Sequence, residues 1–365
     1  MKLAILGTRG IPARYGGFET FADELSTRLV KRGIDVTVYC IAEGSDQPRQ
    51  YKGVSLVFLP SPSMGPLTTV LFDLRSLWHA RKSYDVVYML GYGAAFFCFL
   101  PKLWGAKVWI NVDGIEWARA KWNFVAKTYF KLMEYCSVKI ADVVVADAVG
   151  IKEFLYKRHK AIVPCEVIPY GAPIVELPKE ACDLSSWSVE YRKYYLIVCR
   201  LEPENHVFEI IKGFAASKAK YPLLVVGNDQ AETVYVRSLK TVSDSRIRFV
   251  GTVYDQEKLK ALRCGSRAYF HGHSVGGTNP SLLEALGCGN LVVAHDNVFN
   301  REVAENAGTY FTTANDLSAI IQKIELMSDD ECVAVARLAK DRIRAHYTWD
   351  KIAEQYAALI EKPSK

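Results

Sequence analysis

His271 to Asp296 reads HGHSVGGTNPSLLEALGCGNLVVAHD. The order is a strand end, a glycine loop, a short capped helix and a second apolar strand. Asn279 has the side chain of an N-cap, Pro280 suits a first helical turn, and Gly287 to Gly289 stops the helix. A glycine loop that feeds a helix N-terminus offers backbone N–H groups and the positive end of the helix dipole. That arrangement suits a phosphate or diphosphate. Glu284, one turn into the helix, is placed to hold the hydroxyls of an attached sugar. The same letters also describe a plain βα turn with a surface glutamate, so the rest of the chain has to decide.

A chain of 365 residues exceeds most single cores, which predicts two domains. Half the residues are apolar and 24% are charged, as in an ordinary globular protein. The nine cysteines are scattered with no CxxC pair, which reads as buried or free thiols in a reducing compartment and not as a disulfide frame or zinc site. The apolar run at the start, within MKLAILGTRG, ends in a glycine turn and reads as a first strand, not a signal peptide. The nearest approach to a membrane span is Gly93 to Leu100, cut off by Pro101 and Lys102. A net charge of +6 permits an anionic substrate or membrane surface without requiring one.

Along the chain, short apolar runs alternate with helical patterns. Lys2 to Leu6 leads into GTRGIPARYGGFET, Gly7 to Thr20, and then a helix. This opens a nucleotide-binding βαβ unit, although the loop is longer than G-x-G-x-x-G and a dinucleotide is disfavoured. Gly16 and Gly17 let a ligand approach the backbone. Further strands at Asp35–Ile41, Val54–Pro60, Asp85–Leu90, Lys107–Val112, Asp142–Asp147 and Glu166–Pro169 complete a parallel sheet with helices on both faces. Asp113 follows a buried strand and precedes Gly114; it is either a cleft carboxylate or an Asx turn. Trp117 to Lys131 mixes aromatic and basic residues. It reads as a helix on an anionic membrane surface or as a domain helix with snorkelling lysines. No recognised nucleic-acid module surrounds it. Residues 174–190 read as a linker. The rhythm then restarts, with strands at Tyr195–Cys199, Leu223–Gly227, Ile247–Gly251, Arg267–His271 and Leu291–Ala294, one long helical stretch from Asp316 to Arg344, and a last helix at Trp349–Glu361. The expectation is an α/β protein of two Rossmann-like parallel-sheet domains with an interdomain cleft.

Four segments carry a resemblance: RLEPE after a strand, VGTVYD after another, PSLLEALGCGNLVV, and the final YTWDKIAEQY. Together they resemble glycosyltransferase family 4, of GT-B fold. GTRGIPARYGGFET, NVDGIEWARAKW and HGHSVGGTNPSLLEA look closer still to a bacterial subgroup of rhamnosyltransferases in capsule and cell-wall polysaccharide assembly. The resemblance implies an acceptor-side domain at 1–173, a donor domain at 191–346 and a C-terminal helix, 347–365, that crosses back to the first domain. It implies a retaining transfer from a nucleotide-sugar without a metal or other cofactor.

The resemblance also assigns residues. Arg200 matches the arginine on the donor diphosphate, a group suited to a guanidinium fork. Glu284 matches the second glutamate of E-x7-E, on the ribose. Gly251 to Tyr254 correspond to the region near the base, and Gly16 and Gly17 to the glycine loop near the donor phosphates and the acceptor. Asp113 falls where many relatives carry a cleft histidine beside the donor sugar. With Arg200 and Glu284, it completes the expected catalytic set. Arg9, Arg14, Tyr15 and Glu116 are expected on the acceptor side.

Two positions depart from the family pattern. Gly276 stands where the first glutamate would be, which leaves the sugar to His273, Ser274 or the backbone of Gly276, Gly277 and Thr278. Glu204-Asn205-His206 replaces a second phosphate cation, so the amides from Asn279 through Ser281, Leu282 and Leu283 are expected to meet the diphosphate. The implied reaction moves L-rhamnose from dTDP-rhamnose to a lipid-linked saccharide. The implied location is cytoplasmic or peripheral on the inner face of the cell membrane. A UDP-hexose donor is the alternative within enzymes, and a non-catalytic nucleotide-sugar-binding subunit the alternative outside them.

Overall fold

The computed structural model describes residues 1–362 except 15, 45–46, 62–63, 161–162 and 232. The chain divides into two compact units, Met1–Gly171 with Trp349–Lys365, and Ala172–Thr348.

The first unit is built on eight strands: β1 (Lys2–Leu6), β2 (Asp35–Ile41), β3 (Gln50–Tyr51), β4 (Val54–Leu59), β5 (Val86–Met89), β6 (Lys107–Val112), β7 (Val143–Ala146) and β8 (Cys165–Val167). Their order is β3-β4-β2-β1-β5-β6-β7-β8, parallel except for the short antiparallel β3. The residues of β1 and β5 are buried almost throughout, as expected of strands covered on both faces. Helices α1 (Gly17–Lys31), α2 (Thr68–Ala80), α3 (Phe99–Lys102), α4 (Phe124–Ile140) and α5 (Val149–His159) cover the sheet.

Within Trp117–Lys131 the helix begins late. Asn123 caps it by accepting the Ala126 N–H at 3.0 Å, and Glu116–Ala118 form only a 3-10 turn. The ring of Trp117 is anchored by an Nε1 donation to Glu134, that of Trp122 by donation to Glu116, and Phe130 packs edge-on to Tyr92. Trp117, Trp122 and Phe130 are therefore held by protein groups, whereas Phe124 is 83% exposed.

The second unit holds six parallel strands: β9 (Tyr195–Val198), β10 (Leu223–Val226), β11 (Ile247–Gly251), β12 (Ala268–His271), β13 (Leu291–His295) and β14 (Gly308–Phe311). The order is β11-β10-β9-β12-β13-β14. Tyr195 and Phe270 stack at 5.4 Å on one face of this sheet, in a core that Phe214 and Leu317 complete. Its helices are α6 (Val207–Ala216), α7 (Val234–Leu239), α8 (Gln256–Gly265), α9 (Pro280–Gly287), α10 (Val298–Ala304), α11 (Ala314–Leu326) and α12 (Asp329–His346). The stretch expected as one helix from Asp316 to Arg344 is two. Ser328 accepts the Glu331 N–H while Glu331 accepts the Ser328 N–H, a capping box that starts a new helix. Residues 174–190, expected as a linker, belong to this unit. Val175 donates to the Gly287 carbonyl, Leu184 is buried, and two 3-10 turns occupy Lys179–Ala181 and Ser185–Trp187.

The last helix, α13 (Trp349–Glu361), belongs to the first unit. Trp349 and Tyr356 pack around Phe21, and the Tyr356 and Tyr88 hydroxyls meet at 2.7 Å. Gly171 makes room for this helix, since a Cβ there would stand 2.5 Å from the Trp349 ring.

Candidate functional site

In the second sheet the strand order reverses between β9 and β12. At such a switch point the following segments diverge, and a crevice opens beyond the carboxyl ends of the two strands. One segment leaves β9 through Arg200 and turns at Pro203–Asn205 before α6; the other leaves β12 through Gly272 and reaches α9 at Pro280. The two are bonded together. Ser274 donates both its N–H and its Oγ–H to the Glu204 carbonyl, each at 3.0 Å. A Cβ on Gly272 would come within 1.8 Å of the Asn205 carbonyl oxygen, so only glycine lets the segments approach this closely. Asn205 Nδ2 donates to the Arg200 carbonyl at 2.6 Å and fixes the first turn.

The helix start is built for an anion. Asn279 Oδ1 accepts the Ser281 N–H at 3.0 Å, Pro280 has no N–H to satisfy, and the first turn of α9 carries no acidic residue. Gly276 has a φ of 124°, and among the described residues the amides of Gly276 and Gly277 donate to no protein acceptor. The expected amides are placed differently. Leu282 and Leu283 are fully buried, and their N–H groups go to the Asn279 carbonyl at 3.1 and 3.2 Å. With the Ser281 N–H committed to the cap, the amides left without an acceptor among the described residues include those upstream at Gly276, which is partly exposed, and Gly277, which is buried. Thr278 is buried between them and the cap.

Arg200 is 56% exposed, and its one ion pair among the described residues is a loose 3.9 Å approach to Glu202. Glu284 is engaged more tightly. Its Oε2 lies 2.6 Å from Nη2 of Arg263, a buried cation supplied by α8. This partner was not foreseen, because nothing in the sequence around Arg263 distinguishes it from other helical arginines. It fixes the rotamer of Glu284.

A second carboxylate was also missed. Both oxygens of Glu204 are hidden from solvent and have no hydrogen-bond partner among the described residues. A carboxylate left in that condition is costly until a donor meets it.

The strand-end histidines are neutral. His271 is fully buried with neither ring nitrogen bonded, and burial pushes its imidazole down to about 3. It stacks on His273 at 4.6 Å, and His206 stacks on His295 at 4.0 Å. Burial, and then the neighbouring His206, lower the His295 imidazole. The Asn297 and Asn300 carboxamides each donate at 2.9 Å to the His273 carbonyl and hold the loop base. Gly251 and exposed Tyr254 stand at the end of the edge strand β11, two strands from β9.

The first unit has its own reversal, between β1 and β5. Gly7 sits there with a φ of 83°, and a Cβ would lie 2.1 Å from the Leu90 carbonyl oxygen. Gly16, with a φ of 126°, caps α1, which Gly17 begins. Arg9 is exposed, and its carbonyl accepts the Ile41 N–H. Arg14 pairs with Glu43 at 2.6 Å on the surface. Tyr15 lies outside the described residues. Asp113 is half-buried beyond β6; after burial, its charge is among the causes that raise the Tyr92 and Tyr170 hydroxyls. The Glu116 carboxylate is already held, by Arg119 at 2.8 Å and Trp122 Nε1 at 3.0 Å, so use of it on an acceptor would have to break those contacts. Among the described residues no three His, Cys, Asp or Glu side chains converge to hold a metal ion.

Residues 186–349 match the family described as "Glycosyl transferases group 1", and residues 1–173 the one described as "Domain of unknown function (DUF1972)". Sucrose-phosphate synthase from Thermosynechococcus elongatus superposes with a TM-score of 0.80 at 18% identity, covering 98% of each chain. HepE from Anabaena, solved with UDP and glucose, gives 0.77 at 17% identity over 99% of each chain. The fold is GT-B. An uncharacterized glycosyltransferase of Methanocaldococcus jannaschii is 26% identical over 248 residues, which cover 66% of this chain and 62% of the relative's length. The region matched to group 1 glycosyltransferases thus takes in the β9–β12 crevice, with its exposed Arg200 and the Gly276 and Gly277 amides that meet no acceptor among the described residues.

Proposed function

We propose that the chain is a glycosyltransferase that takes its sugar from a nucleoside-diphosphate donor held by the second unit. The observation that carries this reading is the convergence at one switch point of Arg200, the Gly276 and Gly277 amides that donate to no acceptor among the described residues, and a helix start with no acidic residue. A departing diphosphate develops negative charge, and preorganised donors aimed at that charge lower the barrier most. Glu284, steadied by Arg263, is proposed for the ribose, and Asp113, Arg9, Arg14 and Glu116 of the first unit for the acceptor side. The transfer is proposed to retain configuration. The acceptor hydroxyl attacks the face that the diphosphate leaves, and its proton passes to the departing phosphate oxygen. The described residues of the β9–β12 crevice offer no carboxylate pair with separate nucleophile and acid roles for a double displacement.

The finer proposal is L-rhamnose from dTDP-rhamnose, delivered to a lipid-linked saccharide in surface polysaccharide synthesis. Gly276 supports it, since a deoxysugar presents fewer hydroxyls and tolerates the loss of a carboxylate there. A UDP-hexose is the second reading. HepE is solved with UDP and glucose, and Glu204, whose buried oxygens meet no donor among the described residues, would reach the additional hydroxyl of a hexose on a shift of the Pro203–Asn205 turn. Incubating the chain with each donor and a lipid-diphosphate saccharide, and weighing the products, separates the readings. A deoxyhexose mass increment with dTDP-rhamnose supports the first, and a hexose increment with UDP-glucose the second. Donor binding without product from either would leave a nucleotide-sugar-binding subunit and overturn the enzyme reading.

A further inference from the structure

The apolar run Gly93 to Leu100 does not span a membrane, and among the described residues no helix is long and apolar enough to do so. Its fold is nevertheless unusual for a soluble surface. A 3-10 turn at Ala95–Cys98 continues into α3, and the pair turns two faces in opposite directions. Ala95, Cys98 and Pro101 are buried. Phe96, Phe99 and Leu103, one helical stripe, are 48%, 37% and 67% exposed. The stripe continues: Trp104, 45% exposed, meets Trp78 of α2, 53% exposed, edge-on at 6.5 Å. Single exposed apolar residues need no explanation, but a connected set of large ones does.

Charge identifies what the set faces. The Arg81 guanidinium lies 4.0 Å from the centroid of Trp78 and 5.5 Å from that of Trp104, and the Lys82 ammonium 5.7 Å from Trp104. From Pro60 to Ile140 the sequence holds ten Lys and Arg against five Asp and Glu. Two of those five, Asp73 and Glu134, are buried; with Lys102 paired to Asp142 and Arg119 and Lys121 to Glu116, the solvent side of this region still carries an excess of cations. A groove of about 640 Å³ adjoins the patch, walled by Leu59, Pro60, Leu74 and Trp78 together with Arg75 and Arg81. A second copy of the chain docked face to face would set these cations against themselves.

We propose that this surface rests on an anionic lipid bilayer. Phe96, Phe99 and Leu103 enter the boundary between headgroups and acyl chains, Trp78 and Trp104 lie at the level of the headgroups, and Arg81 and Lys82 meet lipid phosphates. The inference stands apart from the donor assignment. It places the contact on a different segment from the aromatic run Trp117–Lys131, whose Trp117 and Trp122 rings donate to Glu134 and Glu116.

Sedimentation of the full chain with vesicles tests it, comparing phosphatidylcholine alone with vesicles in which about a third of the lipid is phosphatidylglycerol. The expected result is binding to the anionic vesicles that high salt weakens. Phe96→Ser with Leu103→Ser should lower that binding at least roughly tenfold. Lys82→Glu should lower it about fivefold or more. The melting temperature and its shift by nucleotide-sugar should stay unchanged in both variants, since these side chains are exposed and lie in the first unit. Equal binding to neutral and anionic vesicles, or undiminished binding by the double serine variant, overturns the proposal. So does a concentration-dependent dimer in sedimentation velocity that the double variant abolishes. Absence of any nucleotide-sugar shift in the melting temperature of the unaltered chain, with vesicle binding intact, would instead count against the donor-site reading alone.

Discussion

Each unit has a glycine loop that leaves a strand at a sheet reversal and enters a helix, and the two loops differ in charge. In the first unit the loop before α1 is met by carboxylates of that helix. Glu19 accepts the Arg14 N–H at 3.2 Å, and Asp23 accepts the Ala13 N–H at 3.0 Å. The positive helix end is neutralised from within. In the second unit the loop before α9 has amides at Gly276 and Gly277 with no acceptor among the described residues, no acidic residue in the first turn, and an exposed Arg200 at the same switch point. The same topology thus gives one loop whose amides are met by carboxylates of its own helix and one whose amides are left for a ligand. Helix dipoles and glycines alone do not make a phosphate site; the carboxylates around them decide.

The comparison breaks most decisively at Arg200. Arg200→Ala should lower transfer at least tenfold and remove most of the thermal stabilisation by donor, because a charged hydrogen bond to diphosphate contributes roughly 1.5–3 kcal/mol. Full donor stabilisation in a folded variant would refute the assignment. Arg14→Ala, in the other loop, should leave the donor-induced shift in melting temperature intact and act, if at all, on the KM for acceptor.

A smaller effect is expected at Glu284. Glu284→Gln keeps the shape but gives up the ion pair with Arg263, so the donor KM should rise several-fold with kcat less affected. A change confined to kcat would place Glu284 nearer the reacting bond than the ribose. Glu204→Gln sharpens the question of the sugar. Unchanged kinetics with dTDP-rhamnose but a raised KM for UDP-glucose is the expected pattern if this carboxylate serves an additional hydroxyl, and equal effects on both donors would reject that role.

The smallest effect on activity is expected from a charge remote from both loops. Burial raises the Asp73 carboxyl from 3.8 to about 8. The folded state therefore holds a proton that the unfolded chain releases, and stability is lost as pH rises from about 4 to about 8. Asp73→Asn should raise the melting temperature at pH above this window, with little change below it, as differential scanning calorimetry would show.

Much of this was legible in the letters. Buried parallel strands are continuous apolar runs, and the cap at Asn279 and stop at Gly287 were readable because local chemistry alone sets them. The break between α11 and α12 was overlooked although Ser328 and Glu331 spell a capping box, because apolar periodicity continues across it. Arg263 and Glu204 could not be read at all. Their importance comes from what α8 and the β9 turn are packed against, and no local pattern records that. For the aromatic run from Trp117, sequence gives the number of rings but not which are pinned, as Trp117 and Trp122 are, and which are exposed, as Phe124 is.

The placement of α13 has a consequence for synthesis. The aromatic layer of the first unit closes only when Trp349 and Tyr356 reach Phe21 and Tyr88. On the ribosome, the domain begun first is therefore finished last. The whole of Ala172–Thr348 must emerge while its predecessor waits with an unfilled seam, and release of the nascent chain just before residue 349 would leave the N-terminal unit, not the C-terminal one, as the ward of chaperones.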